Sequence, residues 1–525
     1  MDAAGSRRGG QAFRPLLVAP FTDEILRQAT LLAKTLDKDL KKIGRLEAAT
    51  ADLGRSLAFP GVALLFLLAV ALFALRIAGV GDLAIYVVFG TVVAGYMALN
   101  IGANDVANNM APAVGSKALS LTAALIIAAI CEVSGALLAG GAVVDTISRG
   151  IITPSPELDA QSLILLMTSA LLAGALWLNL ATILGAPVST THSIVGAVLG
   201  AGLAAFGVGA VAWPVMGGIA ASWVISPVMG GIIAAALLAF IKWRILFRQD
   251  RVAAARRWVP VLVGLMAGVF TLYMFSKGLN RIWTPPTAMV LIGGAAMSVI
   301  GWAGSRPWVL RKAEGMENAK KQVATLFVPP LILAAALLSF AHGANDVANA
   351  VGPLAAIVAA AQSGSAETGA VALPVWVLIV GGIGISLGLA LFGPRLIRTV
   401  GEKITRMDPM RAFCVALAAG STVLVASTLG LPVSSTHIAI GGIFGVGLLR
   451  EVMTNRGVRR RNGTPSPDTI AVTPEQAVKA ETKRQKRLLV RRQHLWGIAA
   501  AWVVTVPAVA ILSALIYLVL TRFLG

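Results

Sequence analysis

Long runs of apolar residues recur along the whole chain, and they restrict its fold more than any other feature. Roughly 20 apolar residues are needed for one helical crossing of a bilayer. Because backbone N–H and C=O groups find no water in lipid, such runs must be helical. The runs that begin near Pro187 and Pro432 can also be read as re-entrant hairpins. The thirteen candidate crossings are approximately residues 58–78, 83–115, 119–144, 161–184, 186–210, 213–241, 259–276, 287–304, 324–356, 373–393, 412–429, 432–449 and 496–520.

Charge supports a membrane protein rather than a soluble one. Only 13% of the residues are charged, whereas a soluble domain carries about 25%. A net charge of +20 could suggest a nucleic-acid partner. The basic residues flank the apolar runs, however, as they do in cytoplasmic loops, so we expect membrane lipid and no nucleic acid. Cys131 and Cys414 both lie in predicted spans and predict no disulfide.

The basic loops predict the orientation of the chain. With thirteen crossings and a cytoplasmic N-terminus, every strongly basic loop falls on the cytoplasmic side. The alanine-rich composition suggests a bacterium, so we expect a multi-pass protein of a bacterial inner (cell) membrane. The predicted segments are a cytoplasmic amphipathic helix region (1–57), an extra span (58–82), a first repeat (83–241), connecting basic loops and spans (242–323), a second repeat (324–449), a basic cytoplasmic loop (450–495) and a C-terminal span (496–525).

Two different motifs each occur twice. The sequence GANDVAN begins at Gly102 and again at Gly343, 241 residues later. The sequence PVSTTH begins at Pro187 and recurs as PVSSTH at Pro432, 245 residues later. Two motifs at nearly one offset indicate an internal duplication. The two GANDVAN copies lie an odd number of predicted crossings apart, so the two halves would run in opposite directions, as in many secondary transporters.

The GANDVAN copies place carboxylates in apolar spans. Asp105 and Asp346 would each cost ~2.5–3.5 kcal/mol at membrane depth, so each should pair with a cation, face a cavity or change protonation. A helix broken near the motif glycine would add free backbone carbonyls. Carboxylate, amide and carbonyl oxygens are ligands for hard cations. The alternative is a polar clamp between helices. The amide-bearing neighbours are Asn104, Asn108, Asn345 and Asn349.

The PVS-[ST]-TH copies predict half-helix ends with many hydrogen-bond donors. Proline ends the preceding helix, and the N-terminus of the next one offers free N–H groups and a positive dipole end. Such a donor set suits a tetrahedral oxyanion, although capping of a kinked helix would use the same residues. The hydroxyl groups belong to Ser189, Thr190, Thr191, Ser434, Ser435 and Thr436.

Histidines and one glutamate lie in or near these motifs. His192, His342 and His437 could hydrogen-bond a ligand, relay a proton or cap kinked backbone, and the last role is preferred. Glu132 is the lone carboxylate of its span and could join a cation or proton path or bond a neighbouring helix. We treat Glu132, His192 and His437 as accessory candidates.

The paired motifs resemble those of the inorganic phosphate transporter family, which comprises phosphate permeases and sodium–phosphate symporters. The likeness covers about residues 83–449. It implies an all-α polytopic membrane protein with two inverted repeats, broken helices and about twelve core transmembrane helices, here with one extra N-terminal span. The first copy departs from the common family pattern because it continues Asn109-Met110-Ala111-Pro112.

The resemblance implies a symporter for inorganic phosphate, coupled to Na⁺ or H⁺, with no covalent cofactor. Asp105 and Asp346, with Asn104 and Asn345, would bind the cation, and Asp105 and Asp346 would be the sodium ligands. Phosphate would be bound by Asn108, Asn349, Ser189, Thr190, Thr191, Ser434, Ser435 and Thr436.

Several alternatives stay open at this stage. Some relatives transport sulfate, so sulfate or another oxyanion is an alternative substrate. A passive anion channel could use the same donors. An intramembrane aspartyl enzyme would use Asp105 and Asp346 as a dyad, but the chain has no soluble-enzyme signature such as a Walker motif or HExxH, and we expect no enzyme. A homo-oligomer is left open.

Overall fold

A computed structural model provides the structure of the protein. It describes residues 58–79, 81, 83–153, 159–184, 188–279, 283–366, 373–399, 407–455 and 492–524. The predicted amphipathic helix region 1–57, Pro187 and most of the basic loop 450–495 lie outside these residues. Residues 63–525 form one compact unit, and the contacts below are all within it.

The described residues are almost entirely helical. Short π-helical turns extend α4, α7 and α8, over Thr146–Gly150, Lys242–Leu246 and Met274–Gly278. No strand occurs in these ranges apart from two isolated bridges. The helices are α1 (Ala58–Ile77), α2 (Ala84–Gly115), α3 (Leu121–Ala139), α4 (Gly141–Asp145), α5 (Ala160–Leu184), α6 (Thr190–Phe206), α7 (Trp213–Ile241), α8 (Arg251–Tyr273), α9 (Thr287–Lys312), α10 (Lys320–Thr325), α11 (Val328–Asp346), α12 (Ala348–Ser363), α13 (Val375–Thr399), α14 (Pro409–Thr428), α15 (Ser435–Asn455) and α16 (Arg492–Leu524).

Every predicted apolar run is helical. Twelve helical segments of the described chain are long and apolar enough to cross a membrane. The thirteenth, Thr190–Phe206, is a shorter apolar helix. The predicted all-α polytopic architecture is therefore confirmed.

Helices α5 and α6 form a hairpin, called hairpin A, whose two ends lie together. Ile152, just before α5, pairs with Val211, just after α6. The N–H of Thr153 also donates to the carbonyl of Ala210 at 2.8 Å. Because the chain enters and leaves at the same place, hairpin A is re-entrant. Its tip contains the first PVSTTH copy.

Helices α14 and α15 form a matching hairpin B around the second copy. Asp408 and Arg411 at the start of α14 and Arg450 near the end of α15 all act electrostatically on Lys242. The Lys242 ammonium also contacts the sulfur of Met453 in α15 at 3.3 Å. Both ends of hairpin B therefore lie at one face. The run that begins near Pro432 is thus part of a re-entrant hairpin and not a separate crossing.

The two hairpins enter from opposite faces. Gln161, at the start of α5, donates to Tyr86 Oη at the start of α2 (3.0 Å) and to the carbonyl of Leu524 (2.7 Å). Asp159, just before α5, pairs with Ser365, just after α12. We call this side face A, and the base of hairpin B face B. Helix α2 thus begins at the face where α12 ends, which is consistent with the predicted inversion.

Packing between the halves is reciprocal. Helix α2 packs on α13 as α11 packs on α3, and α6 packs on α16 as α15 packs on α7. Likewise, α5 packs on α2 as α14 packs on α11. We infer from these pairs that α16 is the last helix of the second repeat, although the sequence interpretation listed it separately.

The GANDVAN glycines do not break helices, contrary to our expectation. Helix α2 runs through Gly102 without interruption, and in the second copy the helix is interrupted only at Val347. A Cβ atom at Gly102 would overlap the backbone carbonyl of Ile385 in α13, and one at Gly343 would overlap that of Glu132 in α3. Both glycines therefore permit backbones of neighbouring helices to approach closely, as small residues do in membrane proteins.

We predict that Gly102→Ala and Gly343→Ala each destabilise the protein by about 1–3 kcal/mol, because the methyl group forces packed backbones apart. The measurement is the Tm of the purified protein in detergent. Gly217→Ala is the matched control, since a Cβ there meets no atom within 4 Å. A Tm for the two motif variants equal to that of Gly217→Ala would contradict the close-packing role.

Asp408 stabilises face B. Its side chain accepts from the N–H of Arg411 at 3.0 Å and so caps α14. It also lies 3.1 Å from the Arg411 guanidinium and 3.6 Å from the Lys320 ammonium. Burial alone would raise the pKa of Asp408, but these two cations and the hydrogen bonds from Arg411 hold the pKa below its ordinary value.

Asp408→Asn should lower Tm at neutral pH, because asparagine keeps the cap but loses the ion pairs. A carboxyl with a lowered pKa in the folded state contributes stability that is complete above its ordinary pKa and is lost as pH falls through the folded value. The difference in Tm should therefore shrink as pH falls below about 4. A difference that is constant with pH would refute the assignment.

Candidate functional site

The tips of hairpins A and B meet α2 and the α11–α12 junction in the interior of the protein. Asp105, Asp346 and Thr191 are fully buried there. The remaining hydroxyl groups of both tips are at most 3% exposed. The structure thus brings together the motif residues of both halves, which are far apart in sequence.

Each motif carboxylate accepts a hydrogen bond from the hairpin of its own half. Thr190 Oγ1 donates to Asp105 Oδ2 at 2.9 Å. At the matching position, Ser435 Oγ donates to Asp346 Oδ2 at 3.2 Å. Hydroxyl groups of the tips therefore replace water around the two buried carboxylates.

Other contacts cross between the halves. Asn108 Nδ2 donates to Thr436 Oγ1 at 2.7 Å, and Thr436 Oγ1 donates to Asp105 Oδ1 at 3.2 Å. Asn349 Nδ2 lies 3.3 Å from the hydroxyl oxygens of both Thr190 and Thr191. Each asparagine therefore contacts the hairpin of the other half, and the two sets are related by an approximate two-fold axis.

Asn104 and Asn345 contact the hairpin stems. Asn104 Nδ2 lies 3.4 Å from Thr182 Oγ1, and Asn345 Nδ2 donates to Ser427 Oγ at 2.8 Å. The amide oxygen of Asn345 also accepts from the N–H of Val433 at 3.2 Å. These contacts position the hairpins, and the cation role of the two asparagines stays a prediction.

Ser189 and Ser434 cap the helices that follow the hairpin tips. Ser189 Oγ accepts from the N–H of His192 at 3.1 Å, and Ser434 Oγ accepts from that of His437 at 3.3 Å. A hydroxyl that accepts one hydrogen bond still has its own hydrogen to donate. The N-termini of α6 and α15, with their positive dipole ends, both point into the site.

His192 and His437 lie side by side between the tips. Their ring centroids are 4.6 Å apart, and the ring of Trp223 lies 3.8 Å from that of His192. The Trp223 indole N–H donates to the carbonyl of Pro432 at 3.2 Å, which ties α7 to hairpin B. These rings support the tips, in line with the structural role that was preferred for the histidines.

His342 is the central residue that the predicted set of site residues omitted. Its Nε2 lies 3.0 Å from Asp346 Oδ2 and 3.7 Å from Asp105 Oδ2. Its Nδ1 lies 3.2 Å from Glu132 Oε1, which also accepts from Asn109 Nδ2 at 3.1 Å. A ring with carboxylates at both nitrogens suits the imidazolium form, which donates from both. One signal in the sequence could have identified His342, because it lies one helical turn before Asp346.

The Asn109–Glu132–His342 group has no counterpart at the symmetry-related position, because it lies where α3 of the first half meets α11 of the second. At the motif offset, His342 corresponds to Ile101 and Asn109 to Ala350. Glu132 corresponds to Ile385, because its carbonyl faces Gly343 as that of Ile385 faces Gly102. The interface of α2 with α13 therefore has an apolar pair where the interface of α3 with α11 has a buried ionic pair. Asn109, where the first motif departs from the common family pattern, donates a hydrogen bond to Glu132 of this pair.

The donor set fits a hard cation. Carboxylate oxygens of Asp105 and Asp346 lie within 4.8 Å of each other, and the His342 imidazolium beside them would not be a ligand. Among the described residues, Asp346 Oδ1, Asn349 Oδ1 and Glu132 Oε2 are buried without hydrogen-bond partners. Buried acceptors of this kind call for a cation or a bound donor. Hydroxyl donors for an oxyanion and oxygen ligands for cations are therefore adjacent.

Comparison with known proteins agrees with this chemistry. Residues 101–513 match the model of the phosphate transporter family. The chain belongs to the phosphate transporter family. The match includes both GANDVAN copies and both hairpins, so the residues of the site lie within the family region.

Individual relatives cover most of the chain. A Helicobacter pylori protein whose name carries the term phosphate permease is 43% identical, over 92% of this chain and 98% of its own. The chloroplastic inorganic phosphate transporter 2-1 of Arabidopsis thaliana is 35% identical, over 82% of this chain and 71% of its own. The solved structure of a sodium-dependent phosphate transporter is 34% identical and covers 84% of this chain, with a TM-score of 0.72. Since these proteins are transporters, the aspartyl-enzyme alternative is dropped.

A double-mutant cycle tests the asymmetric ion pair. His342→Ile leaves the buried Glu132 with Asn109 as its partner but no cation, and Glu132→Ile removes one of the two carboxylates in contact with His342. Each change breaks a buried ion pair and should cost about 3–5 kcal/mol. The double variant copies the Ile101 and Ile385 pair of the symmetry-related interface, so it should regain part of the lost stability, while Asp346 still lacks its contact with His342. Tm of the purified variants is the measurement. Additive losses in the double variant would show that the two residues do not interact.

Proposed function

We propose that this phosphate transporter family member is a secondary active symporter that moves inorganic phosphate together with a cation, Na⁺ or H⁺. The observation that carries the proposal is the convergence of Asp105, Asp346 and the two hydroxyl-rich hairpin tips in one buried site. Neither half alone supplies the complete set of donors and acceptors.

The hairpin tips would bind the anion. The N-termini of α6 and α15 and the hydroxyls of the two tips offer donors from two directions, which suits a tetrahedral oxyanion. Hydroxyl and N–H groups bind the anion without a full positive charge, so the anion can be released. In this structure the hydroxyls of Thr190, Ser435 and Thr436 donate to the carboxylates and that of Thr191 donates to the carbonyl of Val433. Each hydroxyl has one hydrogen, so these groups would turn from their present acceptors to the anion when it binds.

Unpaired acceptors favour phosphate over sulfate. Asp346 Oδ1 and Asn349 Oδ1 are buried acceptors without a partner among the described residues. Hydrogen phosphate carries a hydroxyl group that can donate to such an acceptor, whereas sulfate at neutral pH carries none. A buried acceptor left unpaired costs roughly 1–3 kcal/mol, so sulfate should bind more weakly.

Cations would balance the charge of the site. Phosphate beside Asp105 and Asp346 would meet strong repulsion without a counter-ion. Carboxylate and amide oxygens from the two motifs are suitable sodium ligands. The sodium-dependent transporter of similar structure supports coupling to sodium, and His342 beside the carboxylates makes a proton the other candidate.

Opposed hairpins would give alternating access. The site is closed to solvent in this structure, and hairpins A and B reach it from faces A and B, respectively. Movement of one hairpin at a time would open the site to one face at a time, as rocking of inverted repeats does in other transporters. In a passive channel, both hairpins would have to open at the same time.

Phosphate uptake into proteoliposomes under separately imposed sodium and proton gradients tests the proposal. We expect wild-type uptake to depend on one gradient. Asp105→Asn and Asp346→Asn should each reduce uptake by at least about tenfold, since each removes a charge-assisted contact. Unlabelled sulfate should compete poorly.

Asp145→Asn is the matched control, because Asp145 is an exposed carboxylate in the same protein, and its uptake should equal that of wild type. Uptake that ignores both gradients would support a channel, and equal competition by sulfate would support a general oxyanion carrier. Normal uptake by both site variants would refute the assigned roles.

The protein is a multi-pass integral membrane protein, and we propose the bacterial inner membrane as its location. Face B carries the basic loops, so it would be cytoplasmic. The N-terminus would then be cytoplasmic as well. A homo-oligomer stays open as a prediction.

A further inference from the structure

The two hairpins differ in how their first helices contact the rest of the protein. We call the contact of α5 with α2 seam A and the matching contact of α14 with α11 seam B. Each seam runs from its own face to the central site. Because a hairpin that moves must separate from its seam, the residues of the two seams determine how readily each hairpin opens.

Seam A has polar side chains along its whole length. The hydroxyl of Thr168 lies against Gly90 of α2, 3.6 Å from where a Cβ atom there would lie. Two amide contacts nearer the site are long, at 3.3 and 3.4 Å. The polar pairs of seam A, from face A towards the site, are Gln161 with Tyr86, Asn179 with Asn100, and Thr182 with Asn104.

Seam B is apolar at the positions nearest its face. At the motif offsets, Tyr86 corresponds to Phe327 and Thr168 to Phe413. Both phenylalanines are fully buried, and their ring centroids lie 5.9 Å apart. An aromatic pair therefore occupies the place of two hydroxyl-bearing side chains.

The middle of seam B is apolar as well. Asn100 corresponds to Ala341, and Asn179 corresponds to Leu424. Ala341 and Leu424 are buried members of one hydrophobic cluster, whereas Asn100 is buried with an amide partner. The repeat fold therefore forms with an apolar pair at this level and does not require the two asparagines.

Hydrogen bonds also fix the turn of hairpin B to its surroundings. Asn345 of α11 donates to Ser427 at 2.8 Å and accepts from the N–H of Val433 at 3.2 Å. Thr146, in the π-helical turn after α4, donates to the carbonyl of Gly430 at 2.6 Å. Two elements outside hairpin B thus hold its turn in place.

Opening a seam exposes its side chains to water. Apolar side chains lose the free energy gained by their burial, whereas amide and hydroxyl groups regain hydrogen bonds from water. Seam A should therefore open at a lower free-energy cost than seam B. Binding of the anion does not explain the Asn100–Asn179 pair, because this pair lies on the face A side of the binding residues.

We propose that hairpin A is the gate that opens more readily, that the Asn100–Asn179 pair permits this opening, and that the empty protein therefore opens preferentially to face A. The inference rests on the proposed function, because it assumes that the two hairpins open in turn. Hairpin B stays closed while ions enter from face A.

Cysteine accessibility in the full-length protein tests the proposal without any transport measurement. Cys414 in α14 is a native reporter that is fully buried, and its counterpart in α5 is the fully buried Ser169. One variant carries Cys131→Ala and keeps Cys414. The other carries Ser169→Cys with Cys131→Ala and Cys414→Ala.

The rate of labelling by a small, water-soluble methanethiosulfonate is measured in nanodiscs without sodium or phosphate, where both faces meet the reagent. Each rate is divided by that of the same variant in denaturant, which removes differences in thiol reactivity. We expect the cysteine introduced by Ser169→Cys to be labelled at least about fivefold faster than Cys414.

Asn100→Ala/Asn179→Leu copies the apolar pair of seam B and should slow labelling of the Ser169→Cys reporter by about fivefold. Labelling of Cys414 should not change. Thr168→Val keeps the shape of the side chain and removes one hydroxyl from seam A, so it decides the role of the seam if the double variant does not fold. The control Ser305→Ala removes a hydroxyl from α9 and should label as the parent protein does.

Equal rates at the two reporters, or faster labelling of Cys414, would overturn the proposal. A Ser169→Cys rate that the folded seam variants leave unchanged would overturn it too. Equal labelling together with gradient-driven phosphate uptake would reject the gate alone. Uptake that ignores both gradients, with the labelling difference intact, would instead reject the proposed symport.

Discussion

The structure depends on keeping two buried carboxylates, those of Asp105 and Asp346, supplied with hydrogen bonds in the absence of water. A charged side chain at membrane depth is costly, and the cost is offset only when polar protein groups or ions surround it. Re-entrant hairpins supply those groups, because a hairpin tip carries helix N-termini and hydroxyls into the interior. The hairpins can reach the carboxylates only if the supporting helices pack closely, which Gly102 and Gly343 allow.

Approximate two-fold symmetry explains how one short motif can serve both halves of the site. Each aspartate accepts from its own hairpin, and each following asparagine contacts the opposite one. The symmetry fails at His342 and Glu132, where the symmetry-related interface between the halves has Ile101 and Ile385. The surroundings of Asp346, which contacts His342, and of Asp105 therefore differ in charge although the two carboxylates occupy equivalent positions.

The two faces also differ in charge. Hairpin B ends among Lys242, Lys320, Arg411 and Arg450, whereas the matching positions of hairpin A are uncharged.

The sequence alone determined the helical membrane architecture, the duplication and most of the residues at the site, because span length and motif repetition are local properties. Asp105 and Asp346 were identifiable, since carboxylates are rare in apolar spans. Only the tertiary structure showed that the hairpins are re-entrant and that His342 joins Glu132 to both aspartates, because such contacts link helices far apart in the chain. Local pattern was also misleading for the motif glycines, which allow close helix packing instead of breaking helices. Hydropathy and motif spacing depend only on the residues of one segment. The approach of one backbone to another depends on how the whole bundle packs.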